Sequence, residues 1–305
     1  MRKFLWKSAL FFGIVLAIVS FVLLRYGGYI DYFYEKFTVG KQSSFIIGDS
    51  RAHQGIQPRV IDSYFRKNEF DGPMFNYSFT ISQAAYGKPY TESILKKLKP
   101  DTKNGLFILT VDPWLLAQRE KDNVANGFFE EQTSPPHNMW FDSMNPNFEY
   151  FIRNFRFLHL KSIIRKSSML HKDGWLEESN LPTDSLMLAD WKKNQLRIYR
   201  DFAKHWKRCD YRKTDLQILI EKLKPHGKIF LVRTPIDAKL LAIEDQFWLG
   251  FDQDIETIAH KTGVPYLNFV REDVYRTYDG NHLDKFGGKV FTAHLCDSIN
   301  KYRKP

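Results

Sequence analysis

The chain has 305 residues, 43 % of them apolar and 16 % aromatic, so it can bury a core and is excluded from the class of disordered chains. Its 45 lysines and arginines against 35 aspartates and glutamates give a net charge of +10, which is compatible with a nucleic acid or an anionic membrane surface as partner. The two cysteines, Cys209 and Cys296, are too few for a disulfide scaffold and lack the spacing of a zinc site, so they form one bridge or none.

The first element is an apolar run over residues 9–24, which follows Arg2, Lys3 and Lys7 and is closed by Arg25. With its aromatic flanks the run is long enough to cross a bilayer core of about 30 Å. No small-residue cleavage site follows it, which favours an uncleaved anchor over a cleavable signal peptide and over the buried core helix of a soluble protein.

The charges that flank this run predict its orientation. Cations concentrated before the run place the N-terminus in the cytoplasm and the rest of the chain in the periplasm or at the cell surface. This topology gives the protein a membrane as partner and argues against a nucleic acid. We predict a cytoplasmic tip, anchor and juxtamembrane segment over residues 1–37, followed by an extracytoplasmic domain over residues 38–305.

After the anchor, short apolar runs alternate with helical patterns, as they do in βαβ units. The predicted strands cover residues 44–48, 74–79, 105–111, 228–234 and 265–270. The predicted helices cover residues 58–67, 83–98, 214–223, 236–262, where a break is allowed, and 285–301. The pattern predicts an α/β fold, in which a parallel sheet of five strands is covered by helices on both faces.

One connection is too long for a simple crossover, and residues 113–210 form a predicted helical insertion. Its helical patterns cover residues 148–165 and 185–207, and the first has an apolar stripe on one side and basic residues on the other. The stripe is Phe148, Phe151, Ile152 and Phe155, and the basic residues are Arg153, Arg156, Lys161 and Arg165. Such a helix either packs its stripe into the core or forms a lid on the active site or the bilayer.

The sequence Gly48-Asp49-Ser50 follows the first predicted strand, and ligands bind at the carboxyl ends of strands in open α/β sheets. A serine after a tight turn can project its hydroxyl group while its own N–H faces a bound carbonyl oxygen. The alternative role for Ser50 is that of a helix N-cap.

A serine nucleophile needs a base and a carboxylate that orients the base. The sequence Asp279-Gly280-Asn281-His282 supplies both, between the last predicted strand and the last predicted helix. A turn with a helix cap is the alternative interpretation. A metal site built from Asp279, His282 and Asp284 is less favoured than a solvated polar loop, so we predict neither a metal nor a cofactor.

These motifs, in this order, resemble those of the SGNH/GDSL hydrolase family. The resemblance covers residues 42–112 and 211–303 and implies a flavodoxin-like, doubly wound sheet with a serine triad that acts on acyl esters. By position it implies Ser50 as nucleophile, His282 as general base and Asp279 as orienting acid. A membrane-anchored form resembles the envelope subgroup that handles O-acetyl or other acyl groups on extracytoplasmic glycans.

The oxyanion motifs depart from the family pattern. Asn76 stands where the second motif starts, but the expected glycine is missing, so the backbone amide of Ser82 is the substitute donor. Asp112 stands where the third motif has an asparagine, and loss of one such donor costs about 3 kcal/mol. Arg51 and Arg233 either neutralise Asp112, bind an anionic group of the substrate, or have only structural roles.

Two hypotheses follow from these residues. The first is a membrane-anchored serine esterase or acyl transferase that acts on acyl groups, O-acetyl above all, of extracytoplasmic glycan or lipid. The second is a non-catalytic envelope protein of the same fold that binds a glycan or a membrane-protein partner, which the altered oxyanion motifs favour.

Overall fold

A computed structural model describes residues 1–66, 69–156, 159, 163–164, 166–271 and 274–302. Its first helix, α1 (Arg2–Tyr26), is long and apolar enough to cross a membrane and is almost entirely exposed. Its last turns contact the rest of the chain, where Leu23 is buried in the core and Val19 and Val22 pack against it. The end of α1 therefore packs against the part of the chain that follows it.

Five parallel strands form the central sheet, as the sequence predicts. The strands of the chain are β1 (Ser44–Ile47), β2 (Met74–Asn76), β3 (Gly105–Thr110), β4 (Ala117–Gln118), β5 (Ser168–Leu170), β6 (Leu176–Glu178), β7 (Lys207–Arg208), β8 (Gly227–Arg233) and β9 (Tyr266–Asn268). The order across the sheet is β2-β1-β3-β8-β9, which is the doubly wound, flavodoxin-like order. The predicted fold class is confirmed.

Helices cover both faces of this sheet. After α1 they are α2 (Ser50–Gly55), α3 (Pro58–Tyr64), α4 (Lys88–Lys97), α5 (Phe148–Asn154), α6 (Ser185–His205), α7 (Asp210–Leu223), α8 (Ala238–Phe247), α9 (Phe251–Thr262) and α10 (Lys285–Lys301). In β1, Phe45 and Ile47 face the core layer that contains α4, α7 and α9, while Ile46 faces the layer that contains α2, α3 and α10. Burial on both faces explains why the strands appear in the sequence as continuous apolar runs.

The insertion between β3 and β8 is only partly helical. Its α6 agrees with the predicted helix over residues 185–207, but α5 ends at Asn154, so the prediction of a helix to residue 165 is too long. The apolar stripe is divided, because Phe148 and Phe151 pack against the core while Ile152 is 76 % and Phe155 48 % exposed. Lys161 and Arg165 lie outside the described residues.

A hairpin of β5 and β6 lies between the end of α1 and α2. The carbonyl of Leu170 in β5 lies against Gly28, directly after α1. At the other side of the hairpin, the indole N–H of Trp175 donates to the carbonyl of Gln54 at 2.7 Å. The insertion therefore links the segment after α1 to the helix that begins at Ser50.

Cys209 and Cys296 are both free thiols. The interpretation with one bridge is therefore wrong, and that without a bridge is the observed one. Cys296 is buried in the core layer of α10, whereas the thiol of Cys209 donates to the carbonyl of Leu116 at 3.3 Å.

Candidate active site

Ser50 begins α2 directly after the carboxyl end of β1. The preceding residue Asp49 caps the helix by accepting the N–H of Arg51 at 3.0 Å. A side chain on Gly48 would collide with the hydroxyl group of Thr110 on the neighbouring strand, so the turn requires glycine. The N–H groups in the first turn of a helix have no intrahelical acceptor, and Ser50 presents both its hydroxyl and such an N–H at the edge of the sheet.

His282 and Asp279 lie beside Ser50, as the sequence predicts. The Nε2 atom of His282 is 2.8 Å from Ser50 Oγ, and its Nδ1 atom is 2.8 Å from Asp279 Oδ2. The other oxygen of Asp279 accepts the backbone N–H groups of Asn281 and His282, at 2.9 and 2.8 Å. The loop is thus folded around one carboxylate. Asp284, which we considered as a metal ligand, caps α10 by accepting the N–H groups of Phe286 and Gly287.

The pKa values of the pair shift in opposite directions. Burial alone would lower the pKa of His282, but the negative charges of Asp279 and Asp49 outweigh it, so the pKa lies above the usual 6.5. Burial alone would raise the pKa of Asp279, but the charge and hydrogen bond of His282 outweigh it, so the pKa lies below the usual 3.8. Asp279 is therefore ionised near neutral pH and can hold a proton on Nδ1 of His282, which leaves Nε2 to accept the proton of Ser50.

Helix α6 of the insertion covers this triad. The side-chain amide of Gln195 donates to Asp279 Oδ2 at 3.1 Å. The ring of Tyr278 stacks on His282 with centroids 5.9 Å apart, and Trp191 contacts Tyr278 edge-on. No local motif predicts Gln195 and Trp191 as members of the site, because the pairing of α6 with the loop is a long-range contact.

Asn281 is a further residue of the site that the sequence analysis did not single out. Its Oδ1 atom accepts from Arg51 Nε at 2.8 Å and from the Tyr199 hydroxyl at 3.1 Å. Its Nδ2 atom lies 3.0 Å from Nε2 of His282. The signal was present in the sequence, since Asn281 stands between the two members of the predicted triad.

Arg51 and Arg233 share one buried carboxylate. Arg51 Nη2 donates to Glu244 Oε1 at 2.6 Å, and Arg233 Nη2 donates to Glu244 Oε2 at 2.9 Å. Arg233 also donates to Asp252 at 2.6 Å. Both arginines are almost completely buried, so these contacts favour a structural role over binding of an anionic substrate group.

Asp112 is turned towards the backbone. Its Oδ1 atom accepts the N–H groups of Trp114 and Leu115 at 2.8 and 3.0 Å, and its Oδ2 atom is 3.8 Å from Arg51 Nη1. Burial and the negative charge of Asp49 raise the pKa of Asp112 to about 8, although Arg51 opposes the shift.

The raised pKa predicts a pH-dependent gain in stability for Asp112→Asn. The folded wild-type protein holds the proton of Asp112 more tightly than the unfolded chain does. Protonation of Asp112 therefore stabilises the wild type at low pH, and this stabilisation is lost as pH rises through about 8. Asparagine keeps the Oδ1 acceptor without the charge, so we expect the variant to be more stable than the wild type by at least about 1 kcal/mol at pH 9. We expect little difference at pH 4, measured by urea unfolding, and an equal difference at both pH values would contradict the assignment.

Neither Asn76 nor Ser82 is hydrogen-bonded to a triad side chain among the described contacts. The side-chain amide of Asn76 donates to the carbonyls of Ala52 and Ile56, at 2.8 and 3.0 Å, and so holds the C-terminal end of α2. Ser82 lies in an exposed turn after β2. Asn76 thus acts on the helix of the nucleophile, while the role of Ser82 as an oxyanion donor stays a prediction.

No protein-family model and no curated protein matches the chain. Among solved structures, the chain is similar to the native aryl esterase of M. smegmatis, with 10 % identity and a TM-score of 0.39 over 84 % of this chain and 97 % of that one. A second solved structure has 8 % identity and a TM-score of 0.37 over 86 % of this chain and 99 % of that one. Scores this low do not establish a common fold, so the α/β assignment rests on the strand order of the chain itself.

Proposed function

We propose that this chain is a membrane-anchored serine esterase or acyl transferase of the SGNH/GDSL type. The observation that carries the proposal is the continuous hydrogen-bonded series from Ser50 through His282 to Asp279, with both side-chain distances at 2.8 Å. A base within hydrogen-bond reach of a hydroxyl, itself oriented by a carboxylate, is the arrangement that activates a serine.

In the proposed reaction, Ser50 Oγ attacks the acyl carbon of an ester as its proton moves to Nε2 of His282. The tetrahedral intermediate expels the alcohol, which takes the proton from His282, and an acyl-serine remains. Water, or a hydroxyl group of an acceptor, then loses its proton to His282 and attacks the acyl-serine. The second tetrahedral intermediate expels Ser50 Oγ, which takes this proton back from His282. Water gives hydrolysis, and an acceptor hydroxyl gives acyl transfer.

The proposed substrate is an acyl ester, O-acetyl above all, on a glycan or lipid outside the cytoplasm. Two observations support this location. The cations in the first turns of α1, before the apolar run, favour a cytoplasmic N-terminus, and the hairpin that contacts Gly28 also contacts Gln54 on the nucleophile's own helix. The site is therefore connected to the segment that leaves the anchor.

Labelling with a serine-reactive fluorophosphonate tests the proposal. The full-length protein in detergent is expected to be labelled, and Ser50→Ala is expected to abolish labelling. Ser63→Ala, which changes an exposed serine on α3, serves as the matched control and should label like the wild type. Because His282 must be neutral to accept the proton and its pKa is raised, the labelling rate should increase with pH through a midpoint above 6.5.

A folded wild-type protein that is not labelled at any pH would contradict the esterase proposal. The non-catalytic binding hypothesis would then account better for the altered oxyanion motifs. Equal labelling of Ser50→Ala and the wild type would show that a different serine reacts.

A further inference from the structure

The oxygen of the Asn281 amide is fixed by two donors. Arg51 Nε–H and the Tyr199 hydroxyl both point at Oδ1, from 2.8 and 3.1 Å. A guanidinium nitrogen can only donate, so this assignment of oxygen and nitrogen is determined by chemistry and not by convention. The NH2 group of Asn281 must therefore face the imidazole of His282.

This amide is also held rigidly. Asn281 is 2 % exposed, and its backbone N–H donates to Asp279 Oδ1 at 2.9 Å. Its orienting partner Arg51 is held by Glu244 at 2.6 Å, and the guanidinium lies 5.6 Å from the centroid of the Tyr199 ring. A donor that is fixed before the reaction costs no reorganisation during it.

The Asn281 amide and the Ser50 hydroxyl both lie within hydrogen-bond distance of Nε2 of His282. Ser50 Oγ lies 2.8 Å and Asn281 Nδ2 lies 3.0 Å from Nε2 of His282. In the resting state, with the proton of the imidazole on Nδ1, the lone pair of Nε2 accepts from both. When Nε2 takes the proton of Ser50, it becomes a donor and can no longer accept the N–H of Asn281.

As Nε2 of His282 ceases to accept the N–H of Asn281, a new acceptor forms on the substrate. As Oγ bonds to the acyl carbon, the carbonyl oxygen becomes an oxyanion attached to the same tetrahedral centre. An interaction that forms only in the transition state accelerates the reaction, whereas one made equally in the ground state does not. On the high-pH plateau, above its pKa of about 8, Asp112 at the end of the neighbouring strand is ionised and supplies no such side-chain donor, because a carboxylate only accepts.

We infer that Asn281 is a catalytic residue that donates its side-chain N–H to the oxyanion, with Arg51 and Tyr199 as the positioning residues that aim it. The inference rests on the proposed serine chemistry and adds the donor that the altered motifs leave missing. It places this donor in the loop of the base, and not at the end of β3.

Asn281→Ala tests this role. We expect the rate of fluorophosphonate labelling, and kcat for p-nitrophenyl acetate, to fall by about 100-fold on the high-pH plateau, with KM little changed. Asn281→Asp should lose at least as much, since its carboxylate lacks the N–H and opposes the developing charge. Asn194→Ala, which removes an exposed asparagine of α6, is the matched control and should react like the wild type.

The pH profile separates this role from a structural or tuning role. If Asn281 only donates to neutral His282, its loss moves the midpoint of the profile to higher pH and leaves the plateau rate unchanged, which would overturn the inference. Tyr199→Phe keeps the packing but removes one donor to Asn281 Oδ1. It therefore provides a second test if Asn281→Ala does not fold. We expect a several-fold loss on the plateau, and an unchanged rate would contradict the inference.

Failure of the proposed function would be visible separately. A wild-type protein that is not labelled overturns the serine chemistry and the role of Asn281 with it, whatever the variants do. A labelled wild type, with Asn281→Ala labelled at the same plateau rate, overturns only the role of Asn281.

Discussion

Asp279→Asn is expected to lower kcat for an acetyl ester by about 10⁴-fold while the protein stays folded. The asparagine amide would present either an N–H or an oxygen to Nδ1 of His282. In the first case the imidazole proton moves to Nε2, which then cannot accept the proton of Ser50. The ionised carboxylate, 2.8 Å from Nδ1, also stabilises the imidazolium that forms during attack, and asparagine removes that charge.

The fold should tolerate this change because the other oxygen is kept. Oδ1 of Asp279 accepts the N–H groups of Asn281 and His282, and an asparagine oxygen can accept the same two bonds. Steady-state kinetics with p-nitrophenyl acetate, together with thermal unfolding, measures both effects. Asp190→Asn, an exposed position on α6, is the control and should keep the wild-type kcat. A folded Asp279→Asn protein with more than a tenth of the wild-type kcat would contradict the triad.

The parts of this molecule that sequence could predict are those with a local signal. The strands of the sheet are buried on both faces, so each appears as an uninterrupted apolar run, and their alternation with helices specifies a parallel sheet. Ser50 and His282 each follow a predicted strand, and the carboxyl ends of parallel strands share one edge. The two residues were therefore expected to be neighbours although 232 positions separate them.

The parts that sequence could not predict depend on pairings across the chain. The sequence leaves three roles open for Arg51 and Arg233: to neutralise Asp112, to bind an anion, or to support the structure alone. No local pattern identifies Glu244 as their common partner. Glu244 lies within α8, where a glutamate is equally typical of a solvated face. Only the packing of α8 at the edge of the sheet buries it.

Element ends were also less predictable than the elements themselves. The predicted helix over residues 236–262 is two helices, because Gly250 between them has φ +79° and the chain turns there. The helix predicted to begin at residue 83 begins at Lys88, where Pro89 occupies a first-turn position that needs no N–H.

The carboxylate of Glu244 compensates two buried cations at once. Its Oε1 atom accepts from Arg51 at 2.6 Å and from the indole N–H of Trp114 at 2.9 Å, and its Oε2 atom accepts from Arg233 at 2.9 Å. Without it, Arg233 would keep its ion pair with Asp252 among the described residues, and Arg51 would keep Asp112 Oδ2 at 3.8 Å. Removal of one member of a buried ion pair costs about 3 to 5 kcal/mol, because the remaining charge stays buried without compensation.

Glu244→Gln is therefore expected to lower the free energy of unfolding by about 3 kcal/mol or more, measured by urea denaturation. The side chain keeps its shape, but one oxygen becomes an NH2 group that faces a guanidinium or the indole N–H, so a donor meets a donor. Asp245→Asn is the matched control on the next residue, since its partner Arg271 is 3.2 Å away and both side chains are exposed. We expect Asp245→Asn to lower the free energy of unfolding by less than about 1 kcal/mol.

Because Arg51 also orients Asn281, the folded fraction of Glu244→Gln should react more slowly than the wild type. A variant as stable and as active as the wild type would refute the link between this ion cluster and the site.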